Sequence, residues 1–79
     1  MIWVTSAKHL NDFKILISFN NGIVKTVNLE NYLEKPVFQP LKDKSYFKNF
    51  NLNPFTIEWA NGADFAPEFL YKIGRIQAS

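Results

Sequence analysis

Apolar and polar positions alternate along the first third of the chain. Over residues 2 to 10, Ile2, Val4, Ser6 and Lys8 fall on one face and Trp3, Thr5, Ala7 and His9 on the other, which predicts a first strand. Asn11-Asp12 carries turn chemistry. The following "FKILISF" alternates more strongly, with Phe13, Ile15, Ile17 and Phe19 on one face. The "NNG" after it selects the register of the next strand. A two-residue loop would set Ile17 against Thr26 and Ile15 against Asn28, so polar groups would enter the core face. A three-residue loop, Asn20-Asn21-Gly22, sets Phe19 against Ile23, Ile15 against Val27 and Phe13 against Leu29. Only Lys25 is then misplaced, and its long stem can carry the charge outward. A one-residue slip exchanges faces, so burial favours the three-residue loop, with Gly22 at the left-handed position.

The pattern then shortens. "ENYLEK" predicts one helical turn ended by Pro36, and "VFQPLKD" reads as irregular. Asp43 is a good N-cap for a short helix over "KSYFKNF", whose inward face would carry Tyr46, Phe47 and Phe50. "NFNLN" predicts a short strand. In "FTIEW", Phe55, Ile57 and Trp59 point one way and Thr56 and Glu58 the other. Asn61-Gly62 turns the chain, Ala63 to Phe65 returns briefly, and Pro67 opens a last helix. Glu68 lies in its first turn, Phe69, Leu70 and Ile73 form its apolar stripe, and Gly74 suits its C-cap. "RIQAS" reads as a frayed tail. The expected fold is α+β, a small antiparallel sheet of about five strands with short helices on one face, in the order β-β-β-α-α-β-β-α. Residues 1 to 79 form a single domain on this reading, with an ordered core over about 2 to 74 and a frayed tail over 75 to 79.

Composition narrows the chemistry. The chain is 47% hydrophobic with eight Phe, enough apolar surface to offset the entropy of ordering. The absence of cysteine excludes disulfide and thiolate chemistry and cysteine-bearing zinc sites. "MIWVTSAKHL" lacks the basic start and long apolar run of a signal peptide, and no stretch approaches a membrane span, so a cytoplasmic location is expected. The net charge of +2 is mild for a protein that neutralises many phosphates.

Three groups of residues merit weighing as sites. The acids Glu58, Asp64 and Glu68 crowd around Trp59, Asn61, Gly62 and Phe65 in "TIEWANGADFAPEFLY". Paired carboxylates can do acid–base work. The simpler reading is a structural corner, in which Asp64 bonds turn amides, Glu68 favours the helix start and Glu58 faces solvent. Trp59 and Phe65 would then be buried, and Asn61-Gly62 would supply the left-handed backbone. His9 stands alone, without a nucleophile motif, and reads as a strand-end residue. An enzyme would need His9, Glu58 and Asp64 in one pocket. Lys35, Lys42, Lys44 and Lys48 interleave with Phe38, Tyr46, Phe47 and Phe50, the pattern of a single-strand nucleic-acid surface, although rings at helical spacing more often build core. The three glycines are too dispersed for a phosphate loop. No metal or other cofactor is expected.

The patterns "WVTSAKHLNDFKILISFNNG", "VNLENYLEK.VF..LKD..YFKN" and "TIEWANGADFAPEFLY" together resemble a family of small prokaryotic proteins, the domain of unknown function numbered twenty-four forty-two. The resemblance spans about residues 2 to 74, and the last motif is its most specific part. Many relatives carry Ser or Pro near the final helix start, whereas Ala66 precedes Pro67 here, so a side-chain cap is expected to be absent. The resemblance implies an α+β fold and brings no catalytic residues. It implies a protein partner encoded nearby and antitoxin-like pairing; a homodimer is also compatible. Some relatives add a helix-turn-helix domain, for which these 79 residues leave no room. The expected function is thus a non-enzymatic protein-interaction module, the antitoxin-like half of a toxin–antitoxin pair, with a candidate surface at Trp59, Asn61, Gly62, Asp64, Phe65 and Glu68. The alternative is a nucleic-acid-binding transcriptional regulator acting through Lys35, Lys42, Lys44 and Lys48, favoured by a pI of about 9.0.

Overall fold

The computed structural model describes residues 1–76, and its α+β architecture divides the strands between two sheets. The larger is an antiparallel meander of β1 (Val4–Asn11), β2 (Lys14–Phe19) and β3 (Val24–Asn28), with β6 (Arg75–Ile76) added antiparallel beside β3. Between β3 and β6 the chain forms a 3-10 turn over Glu30–Tyr32, a 3-10 segment over Pro36–Lys42, α1 (Lys44–Phe47), the two-stranded sheet of β4 (Asn51–Leu52) and β5 (Ile57–Glu58), and α2 (Pro67–Ile73). These pieces cover one face of the meander. Its core side chains Ile15, Ile17, Phe19, Val27 and Leu29 are buried against Leu33, Leu41, Phe47, Trp59 and Leu70. Ser18, Val24 and Thr26 stay half-buried on the other face, the two-sidedness usual for an antiparallel sheet. Among the described residues, no helix is long and apolar enough to cross a membrane.

The register of β2 and β3 is the one burial demands. Ile15 lies opposite Val27 and Ile17 opposite Lys25. The Phe19 amide donates to the Ile23 carbonyl at 2.9 Å, and Gly22 takes φ +84°. The Lys25 stem crosses apolar ground so that its Nζ reaches the Tyr71 carbonyl at 2.7 Å and lies 3.7 Å from the Tyr71 ring centre. The second Asn-Gly turn repeats this loop: Trp59 N–H donates to the Ala63 carbonyl and Gly62 N–H to the Trp59 carbonyl, both at 2.9 Å. In both loops the Asn side-chain oxygen accepts from the amide two residues on, Ile23 from Asn21 at 3.0 Å and Ala63 from Asn61 at 3.1 Å. Only the glycine is left-handed in each, so Gly62 and not Asn61 supplies the positive φ.

Several local expectations are corrected. A register shift between Val4 and Ser6 inserts an extra residue in β1, so Val4 faces the core opposite Phe19, while Ala7 and His9 face it opposite Ile17 and Ile15. Uninterrupted alternation would have put Ala7 and His9 on the face away from Val4. The first turn falls at Asp12 and Phe13, between the paired Asn11 and Lys14, and Asp12 takes a left-handed φ of 44°. Residues 36–42, expected to be irregular, wind into 3-10 helix, whose tight turn accommodates Pro40. Phe55 is 61% exposed whereas Thr56 is buried. The cause is Asn53, whose side-chain oxygen accepts from the amides of both Phe55 and Thr56 and bends the chain ahead of β5. The Thr56 hydroxyl is buried because it donates to the Phe65 carbonyl at 2.7 Å. Arg75–Ile76 extend the sheet where a frayed tail was expected; the remainder of that tail, residues 77 to 79, lies outside the described residues. Asp43 caps α1 as expected, accepting from Ser45 N–H, and Ala66 gives α2 no side-chain cap.

Glycine serves two different purposes here, which substitution separates. A Cβ at Gly22 or Gly62 meets nothing within 4 Å, so only the backbone resists it, whereas at Gly74 it would lie 2.9 Å from the Lys25 Cβ and 3.0 Å from the Leu70 carbonyl. Gly22→Ala and Gly62→Ala should each cost about 1–2 kcal/mol in urea unfolding, the penalty of left-handed backbone. Asn at either position should recover most of that. Gly74→Ala should cost about 1–3 kcal/mol through overpacking, and Asn there should be no better.

Candidate functional site

The stretch 56–71 folds as the expected corner. β5 leads to the three-residue loop, Asp64 returns opposite Glu58, and Pro67 occupies the first helical position of α2. Trp59 is only 2% exposed, and Phe65 is buried beside it. The Trp59 indole N–H donates to the Phe47 carbonyl at 2.7 Å, tying the corner to α1. Its ring tilts against Phe47, with centres 5.5 Å apart, and meets Phe50 and Phe65 edge-on. Asn61 is committed to structure as well. Its N–H donates to the Tyr46 hydroxyl at 3.0 Å, and its side-chain amide donates to the Val37 carbonyl at 2.9 Å.

Asp64 departs from its expected role. Asn61 holds the turn amide that Asp64 was expected to bond. Among the described residues, Asp64 makes no hydrogen bond or ion pair. It lies opposite Glu58 across the hairpin, and like charges at opposed positions stabilise nothing there. Glu68 lies exposed in the first turn of α2, where a negative charge suits the helix dipole. Fold stability therefore accounts for Trp59, Asn61, Gly62 and Phe65 but supplies no local reason for Asp64.

Asp64 and Phe65 line a groove of about 440 Å³ with Tyr32, Glu34, Lys35, Phe38 and Phe69. Its floor is a stack of phenyl rings. Phe38 lies flat on Phe65 at 4.5 Å and 5°, and Phe65 on Phe69 at 5.9 Å and 13°. Tyr32 closes one end edge-on to Phe69 at 5.1 Å and is itself 40% exposed. Glu34, Lys35 and Asp64 are exposed on the rim, and none is paired among the described residues. Sequence reasoning singled out Asp64, Phe65 and Lys35 and named Phe38 only as a ring of the lysine-rich stretch, but missed Tyr32, Glu34 and Phe69. The available signal was the acidic and aromatic content of 30–38, obscured because a linear scan does not bring that segment to residues 64–69.

The other candidates are dispersed. His9 faces Phe47 edge-on at 6.1 Å, and its Nε2 lies 3.0 Å from the Asp12 carbonyl oxygen, so its near neighbours belong to the β1–β2 turn and α1. Among the described residues, no group of three or more His, Asp or Glu gathers as a metal site. Of the four lysines, Lys44 pairs with Asp12 at 2.9 Å, while Lys35, Lys42 and Lys48 are exposed at the groove rim, the end of the 3-10 segment and the end of α1. The rings interleaved with them turn inward: Phe47 is buried, and Phe38, Tyr46 and Phe50 pack against the core. The hydrogen bond from Lys44, then its charge, holds the Asp12 carboxyl below its ordinary range, and the same contact raises Lys44.

Fold and corner together define a small α+β protein whose longest distinctive motif builds one wall of an aromatic groove. Residues 4–75 match the family described as "Protein of unknown function (DUF2442)", and the chain belongs to that family. No curated protein and no solved structure matches it.

Two measurements separate structural from uncommitted residues at the corner. Trp59→Ala should cost about 3–5 kcal/mol in chemical denaturation. Trp59→Phe should still cost about 1–3 kcal/mol, because the Phe47 carbonyl loses its donor. Glu58→Gln should change stability little, and Asp64→Asn should not lower it. At the β1–β2 turn, Lys44→Met should raise the Asp12 titration midpoint, followed by NMR, toward the ordinary carboxylate value. Because the Asp12 pKa is depressed by folding, the stability it contributes is present above the unfolded-state pKa and fades as pH falls through the lower folded value. Both groups are well exposed, so salt should weaken the effect.

Proposed function

We propose that this chain is a non-enzymatic protein-interaction module that docks a partner in the groove of Tyr32, Phe38, Phe65 and Phe69. The observation that carries this reading is the ring stack of Phe38, Phe65 and Phe69, two of them in the 56–71 corner, edged by charged groups that have no partner among the described residues. A groove with an apolar floor and a few polar groups at its rim is the usual form of a recognition site. Its ring floor is rigid, so binding loses little side-chain entropy. The partner encoded nearby that the family resemblance implies would make this the antitoxin-like half of a toxin–antitoxin pair acting in the cytoplasm. Inhibition would be steric, with the partner's working surface covered by the groove face.

A nucleic-acid-binding regulator is the second reading, and it rests mainly on charge. Lys35, Lys42 and Lys48, which form no ion pair among the described residues, favour it, while of the rings interleaved with them Tyr46, Phe47 and Phe50 pack into the core and only Phe38 lines the groove. Co-expression with the protein encoded beside it, followed by size-exclusion chromatography, tests the leading reading. The expected result is a stoichiometric complex that survives 0.5 M salt in part and is lost with Phe69→Ser. Absence of a complex, together with salt-sensitive binding of single-stranded RNA or DNA, would favour the second.

A further inference from the structure

The two segments that wall the groove carry a charge opposite to that of the whole protein. Residues 30–38 and 64–69 contain Glu30, Glu34, Asp64 and Glu68 against the single cation Lys35, whereas the chain as a whole is +2. Four of the seven acidic side chains are thus concentrated in these two short segments. Glu34, Asp64 and Glu68 form no ion pair among the described residues, where the one ion pair is Lys44 with Asp12, while the charge of Glu30 acts on Lys44. Glu34 and Asp64 both line the groove with the rings, one from the segment after the Glu30–Tyr32 turn and the other from the segment before α2.

This combination specifies an occupant. An apolar peptide would satisfy the rings and leave both carboxylates beside a surface newly emptied of water, which is unfavourable. An acidic or phosphorylated segment would meet the two carboxylates Glu34 and Asp64 against the one cation Lys35. Lysine would supply a charge but would remain strongly hydrated and could not spread over a ring. A guanidinium is planar, weakly hydrated and charged. It can lie on an aromatic face while its edge donates to a carboxylate. The exposed Tyr32 ring, the half-buried Phe69 ring and the unpaired Glu34 and Asp64 offer both kinds of contact in one groove.

We propose that the groove is a receptor for an arginine-bearing extended segment of a partner protein, with the guanidinium seated on the Tyr32–Phe69 end between Glu34 and Asp64 and a neighbouring apolar side chain on Phe38 and Phe65. The proposal rests on the interaction-module reading and names the chemistry that its groove recognises. It also assigns a purpose to Asp64, the motif residue without a local structural role.

The test uses the full, isotope-labelled chain and four synthetic peptides: Ac-Leu-Arg-Leu-Arg-NH2 and its citrulline, lysine and glutamate counterparts. Citrulline keeps the shape of arginine and removes the charge. In NMR titrations the arginine peptide should shift the amides of residues 31–38 and 64–69. It should bind at least tenfold more tightly than the citrulline peptide and severalfold more tightly than the lysine peptide, and the glutamate peptide should not bind. The double variant Glu34→Gln, Asp64→Asn should abolish that preference at unchanged thermal stability. Equal affinity for the arginine and citrulline peptides would overturn the proposal in favour of a purely apolar occupant. Concentration-dependent shifts at the same residues without peptide would overturn it in favour of a second copy of this chain. Should the arginine preference fail while the co-expressed neighbour still binds and is released by Phe69→Ser, the interaction reading stands and only this chemistry falls. Should the preference hold while the neighbour does not bind, the groove chemistry stands and the pairing falls.

Discussion

The hydrogen bond from the Trp59 indole to the Phe47 carbonyl is the contact on which the arrangement of this molecule turns. A buried indole N–H must find an acceptor, and the free carbonyl at the end of a one-turn helix is among the few within reach. The bond fixes α1, which has only four residues and could not persist alone, against the end of β5. From there the ring contacts continue in both directions. Phe47 meets Phe13 at the first turn of the large sheet, and Trp59 meets Phe65, which leads to Phe69 and Tyr32. One chain of rings thus links the meander, the short helix, the corner and the groove. With so little regular structure between β3 and α2, stiffness comes from large side chains in contact more than from backbone ladders.

The same economy places the groove. Phe65 is shared: it meets Trp59 edge-on in the core and stacks with Phe38 and Phe69 in the groove floor. A shape change in the core would therefore reach the groove through a single ring. The apolar floor needs no separate scaffold, and the rim charges can be chosen freely because they carry no structural duty. The distinctive motif thus combines residues essential to folding with residues that folding leaves uncommitted, and their separation by substitution is what makes its role testable.

Much of this was legible in the residue pattern, and the failures have identifiable causes. The β2–β3 register followed from burial, since only one alignment kept Thr26 and Asn28 off the core face. The caps followed from local chemistry, Asp43 present and Ala66 absent. The β1 bulge could not be read, because nothing at Thr5 marks an inserted residue and both faces of that strand are mixed. Phe55 was misassigned because alternation was extended through Asn53, whose side chain stops the strand from starting there. β6 was missed because two residues carry no periodicity; its pairing depends on β3 lying alongside. The groove was only half visible for the same reason, since its walls are separated by about one third of the chain and meet through tertiary packing alone.

The short β6 has a consequence for the order in which the chain assembles. The β1–β2 and β2–β3 pairings join residues close in sequence through loops of two and three residues, and such hairpins form in microseconds. Pairing of Thr26 with Arg75 closes a loop of about fifty residues, and the entropy of that closure must be met before the contact returns anything. The outer side of β3 therefore stays open as an unpaired edge until the intervening corner has packed. A chain emerging from the ribosome presents that edge until residues 75–76 have left the tunnel, so the edge of β3 is covered only after the whole intervening segment has been made.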